Sequence, residues 1–425
     1  MNRVNRVIAQ LAIFAEKQLN MVRRKIFNDP VHGFISIPDG LLFNLVEHPW
    51  FQRLRRIKQL GLTHLVYPGA LHTRFHHTLG AMHLMEEAID VLRSKGHVIT
   101  PEEAGAAAAA ILLHDIGHGP FSHALEHSIV SDVPHEALSE VFMRRLNEQF
   151  NGDLDLAISI FNGSYHKRFL HQLVSGQLDV DRLDYLKRDS YFTGVIEGSI
   201  GTDRIIKMLE VDGDELVLEA KALYSIENFL VARRLMYWQV YLHKTVLSAE
   251  YLLVNILARA REMVTEGNEL FATPSLQLFL KENFTRSGFN QRPELIESFA
   301  LLDDFDIFSA IKVWSTHSDY VLRQLSGQLV NRRLFKIVMQ EEPFGEAIIE
   351  KAGKEAIERG IPADAVNYFV FTGAVENRAY DPSFSSIRLM DRNGATRDVT
   401  EASGRLGLQY LSESTRKFFL CSMKQ

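Results

Sequence analysis

The 425 residues carry 47 basic and 53 acidic side chains, a formal charge of −6, with 46% hydrophobic and 24% charged positions. This ordinary soluble balance argues against broad, nonspecific coating of nucleic acid. No stretch reaches the roughly 18 uncharged apolar residues that a membrane span needs. The single cysteine, Cys421, cannot close an internal disulfide, which points to a reducing, cytoplasmic setting.

In chain order, "MNRVNRVIAQLAIFAEKQLNM" has the outline of a signal peptide. Gln10, Glu16 and Lys17 break its apolar run and no small-residue cleavage site follows, so an amphipathic helix is expected over an extension of residues 1–24. "GFISIP" at 33–38 carries a strand signal. Most of 39–360 shows apolar residues at three- and four-residue spacing, the helical period. In "TPEEAGAAAAAILLHDIG", Thr100 is the expected cap, Pro101 the first helical residue, Glu102 and Glu103 suit the N-terminus, and Gly117 the stop. "DGDELVLEA" at 212–220 gives a second strand signal. Beyond about residue 365 the chain turns β-rich, with Asn393-Gly394 as a hairpin turn. The expected fold is mainly α, with a helical domain over 25–365 and a smaller C-terminal α+β subdomain over 366–425.

Seventeen histidines are present, eleven of them between His64 and His135. His114 and His118 share a helix face if the helix runs that far, with Asp115 about 100° round it. Imidazole and carboxylate together suit a divalent cation such as zinc, iron, manganese, cobalt or nickel. An adjacent His-Asp pair is common by chance, so further ligands must come from elsewhere. "TRFHHTLGAMHLM" (73–85) and "GQLDVDRLDYLKRD" (176–189) are the two candidate sources. The second carries Asp179, Asp181, Asp184 and Asp189 among Arg182, Lys187 and Arg188. Spacing alone favours a solvated helix of ion pairs there and does not select a carboxylate.

The order H…HD…D, with "HDIGHGPFSH" (114–123) intact, resembles the HD-domain metal-dependent phosphohydrolases. More narrowly it is similar to the deoxynucleoside triphosphate triphosphohydrolases, including the dGTPase-like ones. The likeness runs through "KIFNDPVHG" (25–33), "FQRLRRIKQLG" (51–61), "YPGALHTRFHHTLG" (67–80), His135-Glu136, "LDVDRLDYLKRD" (178–189) and, less closely, "VARRLMYWQVYLHK" (231–244). The C-terminal third matches only loosely.

The resemblance implies a helical HD fold and His77, His114, Asp115 and Asp181 as metal ligands, with magnesium accompanying the triphosphate. It implies His118 and His135 beside the α-phosphate, His123 as proton donor to the departing 5′ oxygen, and Glu126 as its carboxylate partner. Arg74 and Arg182 would meet the α-phosphate and Arg233 the terminal one. Gln59, Leu60, Tyr185, Asp189, Tyr237 and Tyr241 would surround the nucleoside, with Gln59 and Asp189 near the 3′ hydroxyl and Tyr241 against C2′, excluding a ribose hydroxyl. Without the resemblance, the i, i+4, i+8 stripe of Arg233, Tyr237 and Tyr241 reads as a half-exposed helix face.

Lys25, Asn28, Gln52 and Arg55 match positions that bind an activating nucleotide between subunits, implying a homodimer or homotetramer; the face of Arg53, Arg55, Arg56 and Lys58 reads equally well as surface charge. Four departures stand out against vertebrate relatives: His76 for glutamate, Arg182 for lysine, Tyr237 for histidine and Glu47 for aspartate. Two other readings remain. One is an HD phosphohydrolase, nucleotidase or phosphodiesterase, acting on monophosphates, cyclic nucleotides or alarmones. The other is a non-catalytic sensor of nucleotides or single-stranded nucleic acid, which the negative charge disfavours.

Overall fold

The computed structural model describes residues 24–121, 133–381, 386–402 and 412–424. The expected N-terminal helix, His123 and Glu126 lie outside them. The described chain opens with a hairpin of β1 (Arg24–Asp29) and β2 (Gly33–Pro38), in register from Arg24↔Pro38 to Asp29↔Gly33. The helical body follows, built around α1 (Arg74–Ser94). Against α1 pack α2 (Pro101–Leu113) and α4 (Val180–Thr193), while α3 (His135–Gln149) brings its N-terminus to the end of α2.

Helix α2 shows why alanine was selected. Ala107 to Leu113 are all buried, so the helix is enclosed on every side and only small side chains let its neighbours approach. Its start is as expected: Thr100 Oγ1 accepts from Glu103 N at 3.2 Å, and Glu103 Oε2 accepts from Thr100 N at 2.8 Å. Helix α1 uses a histidine for the same task, His76 Nδ1 accepting from Thr73 N at 3.2 Å. His76 thus closes a capping box.

The end of α2 corrects the sequence expectation. The helix stops at Leu113, so His114 and His118 do not share a continuous helical face. Residues 114–118 form a turn, because Ser139 Oγ donates to His114 O at 2.6 Å and Arg53 captures the carbonyls of Ile116 and His118 at 2.8–3.0 Å. Gly117 serves close approach: a Cβ there would lie 2.3 Å from Ser139 N and 2.4 Å from His135 O.

Farther on, the strand signalled at 212–220 is β4 (Glu215–Glu219), which forms a hairpin with β3 (Leu209–Asp212). Helix α5 (Leu223–Met236) runs into a π-helical turn at Tyr237–Tyr241, before α6 (Lys244–Thr265). The β-rich C-terminal part is present as expected, with a hairpin of β7 (Arg388–Met390) and β8 (Thr396–Asp398) around Gly394, φ 82°. It is not a separate layer, however. β7 pairs in parallel with β4 (Leu218↔Leu389), giving the order β3-β4-β7-β8. β9 (Thr415–Ser422) lies between β5 (Lys336–Gln340), a strand the helical period concealed, and β6 (Phe371–Asn377). Hydrogen-bonded ladders therefore cross the expected boundary at residue 365.

Candidate metal and nucleotide site

Three helices meet at one buried point. His77 projects from the first turn of α1, His114 and Asp115 leave the end of α2, and Asp181 stands in the first turn of α4. His77 Nε2 lies 3.0 Å from Asp181 Oδ1 and 3.8 Å from Asp115 Oδ2. His114 Nε2 lies 3.2 Å from Asp115 Oδ1 and 3.5 Å from Asp181 Oδ1. All four ligands implied by the resemblance are thus brought together.

The tautomers are set from behind. His77 Nδ1 donates to Asp184 Oδ2 at 2.8 Å and His114 Nδ1 to Ile111 O at 2.6 Å. Each imidazole therefore turns its Nε2 toward the carboxylates. Both Nε2 atoms are buried and make no well-formed hydrogen bond. Each Nε2 faces carboxylate oxygens, an approach that needs a positive charge between them, a proton or a cation in its place, so the donor set fits a divalent metal ion. Electrostatics agree. Burial works against ionisation of Asp115, yet His114 and Arg74 hold its carboxyl well below the usual range. Burial lowers His77, but Asp181 and Asp184 outweigh it and raise the imidazole to about 10.

Asp184 is the residue that spacing could not distinguish. It is fully buried and accepts four hydrogen bonds: from His77 at 2.8 Å, His32 Nε2 at 2.7 Å, and Arg188 Nε and Nη2 at 2.9 Å each. Arg188 continues to Asp29 at 2.7 Å, tying the hairpin turn to the metal ligand. Gly80 makes the space, since a Cβ there would sit 2.0 Å from Asp184 Oδ1. The i, i+4 pair Asp184/Arg188 was the available signal, but it is also that of a surface ion pair.

Two regions match known family models: an HD domain over residues 74–189, enclosing all four ligands, and an HD-associated region over 200–275. A solved phosphohydrolase from Bacteroides thetaiotaomicron is 54% identical, with a TM-score of 0.91 over 95% of this chain and 100% of that one. Protein YwfO of Bacillus subtilis is 34% identical over 324 residues, 74% of this chain and 72% of the relative. The deoxynucleoside triphosphate triphosphohydrolase SAMHD1 of Danio rerio is 30% identical over 370 residues, 76% of this chain and 57% of the relative. This chain belongs to the HD-domain family. It is a metal-dependent HD phosphohydrolase.

In this HD protein, a cavity of about 470 Å³ opens beside the cluster. Its lining includes Gln59, Leu60, Arg74, Asp115, His118, His135, Asp181, Arg182, Tyr185, Asp189, Tyr237 and Tyr241. His118 and His135 stack with ring centroids 3.7 Å apart, and His118 Nε2 is 3.3 Å from Asp115 Oδ1. Burial, with Arg74 adding to it, pushes His118 well below the ordinary histidine range, so its ring is neutral. Arg74 pairs with Asp115 and Arg182 with Asp179, leaving Arg182 Nε buried without a partner. Gln59 Oε1 is also buried and unpartnered. Tyr241 OH donates to Asp189 Oδ2 at 2.7 Å, and Tyr237 and Tyr185 set their rings edge-on to Tyr241 at 5.0 and 6.2 Å.

Arg233 differs from expectation. It does not line the cavity; Nη1 donates to Gln177 Oε1 at 3.2 Å, and Cζ lies 6.0 Å from the Tyr237 ring. The π turn, with Leu242 N bonded to Tyr237 O at 2.7 Å, breaks the i, i+4, i+8 stripe and presents Tyr237 and Tyr241 to the cavity instead.

Arg53 is a second correction: it is neither surface charge nor part of a regulatory face. It is fully buried, which pushes its pKa down to about 9, and it braces the turn at 116–118. Of the four regulatory positions, Lys25, Gln52 and Arg55 are linked through two phenylalanine rings and one hydrogen bond. Lys25 Nζ lies 5.9 Å from the Phe27 ring and Arg55 Cζ 3.5 Å from the Phe75 ring, and these rings are 6.1 Å apart. Gln52 accepts from Arg55 at 2.8 Å, Asn28 follows Phe27 on β1, and Lys25 pairs with Glu47 at 3.0 Å.

Proposed function

We propose that this HD phosphohydrolase cleaves deoxynucleoside triphosphates between the α-phosphorus and the 5′ oxygen, releasing deoxynucleoside and inorganic triphosphate. The observation that carries the reading is the continuity of the cavity, which joins Asp115 and Asp181 of the metal cluster to the Asp189–Tyr241 pair. A metal phosphatase needs the first end; the second suits a sugar bearing a 3′ hydroxyl and no 2′ hydroxyl. The Danio rerio relative, a deoxynucleoside triphosphate triphosphohydrolase by name, supports the same reading.

His77, His114, Asp115 and Asp181 would hold the cation. Bound there, it supplies Lewis-acid polarisation of phosphate and a lowered pKa for water. The chain's own residues supply the rest. Arg182, through its unpartnered Nε, and Arg74 counter phosphate charge. His118, its ring neutral and stacked on His135, would flank the α-phosphate together with His135. Phosphorus gains an oxygen from water, which gives up a proton to solvent, its bond to the 5′ oxygen breaks, and that oxygen would take a proton from His123, with Glu126 as the carboxylate partner. Gln59 and Asp189 hold the 3′ hydroxyl, and Leu60, Tyr185 and Tyr237 bound the nucleoside. Magnesium would accompany the triphosphate. Arg233, beside Gln177 and Tyr237, would meet the terminal phosphate.

A nucleotide activator at Lys25, Asn28, Gln52 and Arg55, held between subunits of a homodimer or homotetramer, belongs to the same proposal. It is supported by the approach of Lys25 and Arg55 to the adjoining rings of Phe27 and Phe75. No helix among the described residues is long and apolar enough to cross a membrane. Each dNTP, offered to the metal-replete protein with and without GTP, tests the reading. Inorganic triphosphate is the expected product; orthophosphate or pyrophosphate as the sole phosphorus product refutes it.

A further inference from the structure

His72 lies outside the cavity lining yet touches two residues that form it. It precedes the cap of α1, and its side chain is 0% exposed. Its Nε2 is 2.8 Å from Asp189 Oδ1, while Tyr241 OH donates to the other oxygen at 2.7 Å. A carboxylate oxygen only accepts here, so Nε2 carries the proton. Nδ1 is buried without a partner, which an acceptor tolerates better than a donor. The ring stacks on Phe192, centroids 4.5 Å apart and planes at 21°, so it has little freedom to turn. From the backbone, His72 O accepts from Gln59 N at 3.0 Å, within the bridge Lys58↔Thr73.

We propose that His72 is a positioning residue that fixes Asp189, and through it how strictly the site demands a 3′ hydroxyl on the sugar. The inference rests on the reading of the cavity as a deoxynucleotide site. One lone pair on each Asp189 oxygen is used by His72 and Tyr241, and the remaining one on the cavity side is aimed at the sugar. Without His72 the carboxylate rotates about Tyr241 alone and loses that aim. A deoxyribose then loses a charge-assisted hydrogen bond, whereas a 2′,3′-dideoxyribose, which never made it, loses nothing.

The test compares a dNTP with its 2′,3′-dideoxy counterpart on the native protein, on His72→Leu and on His72→Gln, whose amide can donate from the place of Nε2. The expected result is that His72→Leu lowers the dNTP/ddNTP ratio of kcat/KM by about tenfold, through KM for the dNTP, and that His72→Gln restores much of it. Equal losses on both substrates, or an unchanged ratio, overturn the proposal. Should the leucine variant fail to fold, Phe192→Leu, which keeps the hydrogen bond but frees the ring, is expected to lower the ratio partially; an unchanged ratio there overturns it as well. Equilibrium binding of the same two nucleotides separates this idea from the reaction itself. Binding that prefers dNTP and depends on His72, without triphosphate release, supports His72 and refutes the reaction. Triphosphate release with no 3′ preference does the reverse, and binding of neither nucleotide refutes both.

Discussion

Single residues carry the chemistry, and Asp184 is the one whose removal separates holding a metal from touching it. Asn at this position keeps the volume but turns an amide toward donors it cannot all satisfy, so His77 loses its fixed orientation. Asp184→Asn is expected to weaken metal affinity by roughly 10- to 100-fold, read by competition with a chelator. Unchanged affinity would mean that Asp184 plays no part in orienting His77. His114→Ala or Asp115→Ala should remove bound metal and activity together while preserving most of the helical circular dichroism; full turnover in either refutes the ligand set. His77 adds a pH dependence. Its pKa in the metal-free fold is about 10, against roughly 6.5 unfolded. The stability it contributes is therefore complete below the unfolded value and is lost as pH climbs toward the folded one. A cation displaces that proton, so calorimetric titration near neutral pH in buffers of differing ionisation enthalpy should read about one or more protons released per ion. Release of none would contradict the assignment.

At the scale of elements, the site depends on how the turn after α2 is held. Arg53 and Ser139 grip its carbonyls, and Asp304 Oδ1 accepts from Phe121 N at 3.0 Å. Gly117→Ala pushes a methyl into the backbone of α3 and should destabilise by about 1–3 kcal/mol with loss of activity, seen as a lowered Tm; an unchanged Tm would mean that α3 yields easily. These elements also show what the sequence could and could not reveal. The cap at Thr100, the strands signalled at 33–38 and 212–220 and the hairpin turn at 393–394 are legible because local chemistry dictates them. The four residues proposed as metal ligands stand out only through family motifs, since two His and two Asp spread over about a hundred positions carry no local period. Asp184, Arg53, His72 and Asp304 were not singled out because burial is what gives each its role. Sequence alone shows an ordinary ion-pair spacing, a basic run, one more histidine and an acid 183 residues from its partner. The end of α2 differs from its sequence expectation for the same reason: Ser139 and Arg53 override the helix from a distance.

Across the whole molecule, the hairpin, the helical body and the C-terminal strands are joined rather than strung together. Asp29 and Arg188 connect the hairpin to the metal ligand, and β4–β7 and β5–β9 join the last part of the chain to the body. Truncation at residue 365 removes two strands from each of two sheets, so it should lower Tm and solubility rather than liberate an active helical domain; an active, fully stable fragment would contradict this. The account as a whole turns on where water attacks. Hydrolysis of a dNTP in ¹⁸O-water, followed by mass spectrometry of both products, tests it most directly. The account predicts one heavy oxygen in inorganic triphosphate and none in the deoxynucleoside. Label in orthophosphate, in pyrophosphate or on the 5′ hydroxyl would contradict it.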